Sequence, residues 1–194
     1  KALAVYMGDD SRGEYFYKFV STANWEAADA SPSNRITTGD KYLDSGKLYA
    51  ARYNADGTGQ WIELTIANTT IANYATYKFA DQADVLVNAR LAADAVGATR
   101  MDRPEWAAVH PITGEIYCAL TNNSNRKVEP VGSALSQQAV DAANPRSYTD
   151  APTAASAPGN INGHILRMKE NGDESAATAF TWDVYLFGAQ SDAD

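Results

Sequence analysis

Short stretches that alternate apolar and polar residues, or run apolar for five to nine residues, recur along the chain in pairs separated by turn-forming residues. Ala2–Gly8 and Tyr15–Ser21 flank Asp9-Asp10-Ser11-Arg12-Gly13. Lys47–Tyr53 and Gln60–Ile66 flank Asn54-Ala55-Asp56-Gly57-Thr58-Gly59, where Asp-Gly supplies the positive φ of a tight hairpin turn. Glu105–His110 and Glu115–Thr121 flank Pro-Ile-Thr-Gly, and His164–Lys169 and Ala179–Phe187 flank Glu170-Asn171-Gly172-Asp173. Four hairpins rich in aromatic and β-branched residues predict an antiparallel all-β architecture, either propeller blades or a sandwich.

One helix interrupts the strands near 81–96. Asp81 to Asp84 reads as a cap with acids in the first turn, Val85–Val96 is rich in Ala and Leu, and Gly97 suits the left-handed position beyond the last turn. Residues 26–45 and 128–163, both rich in Asp, Ser, Pro and Asn, read as loops. A loop as long as the second lines a site or moves.

With 194 residues, 45% hydrophobic and 21% charged, the chain is long enough for one domain and unlike a disordered segment. No run approaches the roughly 18 apolar residues of a membrane span. The net charge of −8 disfavours nucleic acid and anionic membrane surfaces. A single cysteine, Cys118, excludes an internal disulfide and any cysteine-rich zinc site. A metal centre here would use oxygen ligands and hard cations. Cys118 itself reads as a buried apolar thiol, and His110 and His164 as turn and strand-end residues. There is no Gly-x-Ser-x-Gly elbow and no phosphate-cradling P-loop.

Polar groups concentrate at three strand ends: Gly8 to Glu14, Asp102 to Glu105, and Thr121 to Arg126. In an extended chain Arg103 and Glu105 share a side, and Pro104 biases Arg103 toward that geometry. A guanidinium beside a carboxylate is either a plain ion pair or half of a phosphate site, with Arg gripping phosphate oxygens and Glu ligating a cation.

Several segments together carry a resemblance. Tyr6-Met7-Gly8-Asp9-Asp10, Glu14 to Val20, Gly46 to Arg52, Ala89 to Asp94, Gly97-Ala98-Thr99, Asp102 to Trp106, Thr121-Asn122-Asn123 and Asn144-Pro145-Arg146 resemble, in order, the PhoX-type bacterial alkaline phosphatase family. The resemblance runs from near Lys1 to Trp182-Asp183 and makes the chain a middle-to-late segment of a longer protein. It implies part of a six-bladed β-propeller, within an exported, periplasmic or secreted, phosphomonoesterase whose centre holds calcium and iron. Arg103 matches the arginine that holds the substrate phosphate, and Glu105 the metal-ligating glutamate of the same Arg-Pro-Glu motif. Glu14 aligns with a metal-bridging glutamate, while Asp9, Asp10, Asp102 and Asn122 rank behind these as supports of the ligands or turn residues.

The family's cysteine-bearing motif and its Pro-Asp-Asn motif are both absent, so the chain alone is expected to hold an incomplete cage and to be inactive. The rival expectation is a non-catalytic, calcium-stabilised propeller that acts as a binding module. Open sheet edges would favour self-association in either case.

Overall fold

The structure, a computed structural model, describes residues 1–148 and 159–189. Its elements run β1 (Ala2–Gly8), β2 (Arg12–Glu14), β3 (Phe16–Asn24), α1 (Arg35–Leu43), β4 (Gly46–Tyr53), β5 (Thr58–Glu63), α2 (Thr69–Ala72), α3 (Gln82–Val87) and α4 (Ala89–Ala95). They continue with β6 (Met101–Asp102), β7 (Pro104–Val109), β8 (Ile116–Leu120), β9 (Arg126–Lys127), β10 (Gln138–Ala139), β11 (His164–Glu170) and β12 (Ala179–Phe187). All four expected hairpins form, as β1/β3, β4/β5, β7/β8 and β11/β12.

Among the described residues, eight strands join one antiparallel sheet in the order β1-β3-β4-β5-β12-β11-β8-β7. Its halves are two four-stranded meanders, the unit from which propeller blades are made. They meet along a short seam, where Thr58, Gly59 and Gln60 pair with Thr181, Phe180 and Ala179. At the far ends β1 comes against β7, so the sheet nearly closes. Two glycines permit these approaches. A Cβ on Gly8 would lie 2.1 Å from the Pro104 carbonyl oxygen, and one on Gly59 would lie 2.2 Å from the Phe180 ring.

The period-2 pattern explains the core between the meanders. On β11, His164, Leu166, Met168 and Glu170 are buried, and the residues between them are only partly so. Ile116, Cys118 and Leu120 do the same on β8. They pack with Phe16, Tyr53, Trp61 and Phe180, and the Trp61 and Phe180 ring centroids lie 4.9 Å apart. Within this core Lys18 Nζ, fully buried, donates to Glu170 Oε1 at 2.8 Å and to the Ala177 carbonyl at 2.6 Å. Tyr6 and Trp61 also donate to the Glu170 carboxylate, at 2.7 and 3.1 Å. The charges are buried but fully partnered, which is the condition for tolerating them. A second core lies behind the first meander, where Tyr15, Tyr17, Ala50 and Leu64 meet Ile71, Val85, Ala92 and Ala93 of the helices and their flanks.

The loop and helix expectations need correction at two places. Residues 26–45 contain α1, capped by Asn34, whose side chain accepts from the backbone N–H of Ile36 and Thr37. Only Tyr42 of this helix is buried, while Ile36 and Leu43 are exposed, so its nine residues give periodicity little to work with. The helix near 81–96 is two helices, because Asn88 (φ −107°, ψ 41°) breaks it and returns its side chain to Asp84. The Asp81 cap and the left-handed Gly97 are as expected. The described part of the long loop is mostly irregular; its β10 pairs in parallel with β9 just before it, and isolated bridges form at Asn123–Asn160 and Tyr148–Gly159. Residues 149–158 of that loop, and the terminal residues 190–194, which include Ser191–Asp194, lie outside the described residues. No helix among the described residues is long and apolar enough to cross a membrane.

Candidate functional site

All three polar strand ends come together, the third through Thr121, Asn123 and Arg126, which bond to Asp102 and Arg103. After β1 the chain turns through Asp9–Ser11, with Ser11 N–H donating to the Asp9 carbonyl at 2.8 Å. It then forms β2, whose Arg12 and Glu14 pair with Asp102 and Met101 of β6. The acidic turn is thereby laid beside the Asp102–Glu105 segment. Arg103 is the single residue between β6, paired to β2, and β7, paired to β8. The backbone changes ladders there, and Arg103 takes φ +52°. This overturns the expectation that Pro104 keeps Arg103 extended. The left-handed region costs an L-residue roughly 1–2 kcal/mol, so neighbouring contacts must impose it. They do so from both sides: the Arg103 carbonyl accepts from Thr121 N–H at 3.2 Å, and Asp102 is clamped in the interior.

The Arg103 guanidinium faces Asp10, with Nε to Oδ1 at 3.0 Å and Nη2 to Oδ2 at 3.2 Å. Its Nη2 also lies 3.7 Å from Glu105 Oε1, so Arg103 and Glu105 do share a side despite the bent backbone. The side chains of Arg103, Asp10 and Glu105 are 28%, 41% and 46% exposed, a rim rather than a buried pocket.

Glu14 is set deeper. Its Oε1 accepts from Arg90 Nε at 2.5 Å, while its buried Oε2 has no hydrogen-bond partner. Burial raises the Glu14 pKa above the ordinary carboxylate range, and the charges of Asp9 and Asp94 add to the rise, against the opposing pull of Arg90. Arg90 in turn reaches Asp94 at 2.9 Å, and Asp94 also takes Arg100 at 2.7 Å and the Tyr15 hydroxyl. Burial pushes the Asp94 carboxyl up, yet Tyr15 and the two arginines outweigh it and hold the group below its usual range. Ionised Glu14 therefore costs stability. The contribution of its neutral form is complete below the ordinary pKa of about 4.3 and is lost as pH rises through the raised value. Urea denaturation of wild type and Glu14→Gln across that range should show the wild type losing ground steadily with pH. A constant difference would mean that the carboxyl is not strained.

Asp102 is an interior support and offers nothing to a cation. Fully buried, it takes Arg126 Nε at 2.9 Å and Asn123 Nδ2 at 2.5 Å on Oδ1, and Asn160 Nδ2 at 3.0 Å on Oδ2. Asn122 is exposed. Asp9 is also exposed, and its charge is felt at Glu14 and Tyr17. Sequence reasoning passed over Asn123 and Arg126, one and four residues beyond Asn122, because a polar run gives no parity signal for which members face inward. His164 Nε2 meets the Ala143 carbonyl at 2.7 Å, and Nδ1 meets Asn160 at 2.9 Å. His110 Nδ1 accepts two backbone N–H groups within its turn. Cys118 is buried among apolar residues, which pushes its thiol pKa up, as expected of an inert structural thiol.

Among the described residues no three His, Cys, Asp or Glu side chains converge on one point as a cation cluster. A partial fit is present, since the orphaned Glu14 Oε2 is a buried acceptor that a cation would satisfy.

A family model described as alkaline phosphatase PhoX matches residues 1–194. No match was found among curated protein sequences. A solved structure, Pseudomonas fluorescens PhoX in complex with vanadate, a transition state analogue, aligns with TM-score 0.71 and 42% identity over 94% of this chain. The chain spans 28% of that relative's length.

Proposed function

The chain belongs to the PhoX alkaline phosphatase family, and from that premise we propose that it forms part of the substrate-phosphate and metal site of a metal-dependent phosphate monoesterase. In this reading residues 1–194 are one domain, a middle-to-late segment of a larger β-propeller, and the complete protein works outside the cytoplasm, in the periplasm or secreted.

The observation that carries the reading is the Arg103 fork. A guanidinium that presents Nε and Nη2 side by side to two carboxylate oxygens, at 3.0 and 3.2 Å, presents the same geometry to two phosphoryl oxygens. Arg103 binds the phosphoryl group, orients it and stabilises the charge that develops on its equatorial oxygens. Glu14, through Oε2, and Glu105 hold cations of the complete centre, which we assign as calcium and iron. When bound, those cations supply Lewis-acid charge and activate the attacking oxygen. Because recognition rests on the phosphoryl group, a range of alcohol leaving groups is accommodated.

Hard cations such as calcium take about six to eight oxygen ligands, and two carboxylates fall well short of that. The chain by itself is therefore expected to show no turnover of p-nitrophenyl phosphate with added calcium and iron, whereas the full-length polypeptide hydrolyses it. Comparable turnover by the two proteins would overturn the assignment of an incomplete cage.

A further inference from the structure

We propose that Asp10 competes with the substrate: its carboxylate fills the Arg103 fork that the phosphoryl group uses, and so sets phosphate affinity. The inference rests on the assignment of Arg103 to phosphate and goes beyond it, since it gives the neighbouring acid an opposing role.

Three features support it. First, the contact uses the side-on edge of the guanidinium, with both Asp10 oxygens on Nε and Nη2. A phosphate making the favoured two-point contact at that edge needs the same two donors, so the occupants exclude each other. Second, Asp10 has no other hydrogen-bond partner among the described residues and is 41% exposed on the turn between β1 and β2. It can leave the fork by side-chain rotation without disturbing the core. Third, Glu105 lies 3.7 Å from the same Nη2, so one cation already faces two carboxylates before any anion arrives. An incoming phosphate dianion meets like charge unless Asp10 withdraws or a cation offsets it. Held this way, Asp10 keeps Arg103 oriented while discouraging weak anions.

The test uses the full-length, metal-loaded protein with inorganic phosphate as the probe. Phosphate affinity is read by inhibition of p-nitrophenyl phosphate hydrolysis and, independently of turnover, by calorimetric titration. Asp10→Asn, which keeps the size and removes the charge, should bind phosphate about three- to tenfold more tightly, the range expected for losing one partly exposed ion pair and its repulsion. Unchanged or weaker phosphate binding in Asp10→Asn would overturn the competition. Arg103→Met measured in parallel separates the two readings. If Arg103→Met loses phosphate affinity while Asp10→Asn gains none, only the competition fails. If Arg103→Met binds phosphate like the wild type, the assignment of Arg103 itself fails and the competition goes with it.

Discussion

Replacing Arg103 with alanine in the full-length protein is expected to lower kcat for phosphate monoesters by about 10²–10³-fold, the usual cost of removing one oriented donor from developing oxyanion charge. Stability should barely move. The Arg103–Asp10 pair is on the rim, with both side chains more than a quarter exposed, and such pairs contribute about 0–1 kcal/mol. Truncation leaves φ +52° in place, so neither the ladder change nor its backbone strain is removed. Arg103→Lys should recover only part of the rate, because a point charge cannot span two oxygens at once. Steady-state kinetics on p-nitrophenyl phosphate, beside a thermal midpoint for each variant, check the expectation. Near-normal kcat with an unchanged midpoint would remove Arg103 from the chemistry.

The second large effect falls on folding. Arg126 is 2% exposed and Asp102 is fully buried, with Arg126 Nε and Nη2 at 2.9 and 2.8 Å from the same Asp102 oxygen. Arg126 also donates to the carbonyls of Arg100, at 3.1 Å, and Ala139, tying β9 and β10 to the segment that leads into Arg103. Arg126→Met strands a carboxylate in the interior with only Asn123 and Asn160 as donors, and should cost about 3–5 kcal/mol. Against a typical total of about 5–15 kcal/mol that is a large share, readable as a fall in the urea midpoint. A loss below about 1 kcal/mol would mean that the pair contributes little beyond what hydration returns to it.

Much of the fold was legible because its signals are local. The hairpins announced themselves through alternation and turn residues, as on β8 and β11, where every second side chain is buried. The Asp81 cap and Gly97 marked the helical region's ends, but Asn88 in its middle looked like an ordinary helix member until its side chain was seen to bind back to Asp84. Helix α1 was hard to see because it is short, has three apolar residues in nine, and buries one of them. At the site, the Arg-Pro-Glu motif located the fork, while reasoning from proline alone gave Arg103 the wrong backbone. That conformation comes from two ladders meeting, a non-local constraint that neighbouring residues do not encode. The partnership of Arg103 with Asp10 was equally hidden, since 93 residues separate them and the turn between β1 and β2 offered two acids, Asp9 and Asp10, of equal standing. The inward-facing Asn123 and Arg126 were missed for the same reason: which members of a polar run are buried depends on what packs against them.

The narrow seam between the two meanders has a consequence for how such a protein can change. Three residue pairs join β5 to β12, yet the rings of Trp61 and Phe180 press together across that junction. Either half produced without the other would turn Phe16, Trp61 and Tyr53, or Leu166 and Phe180, toward water. Duplication or shuffling of a gene segment therefore finds no clean cut at this junction, because either half would carry away one wall of a shared core.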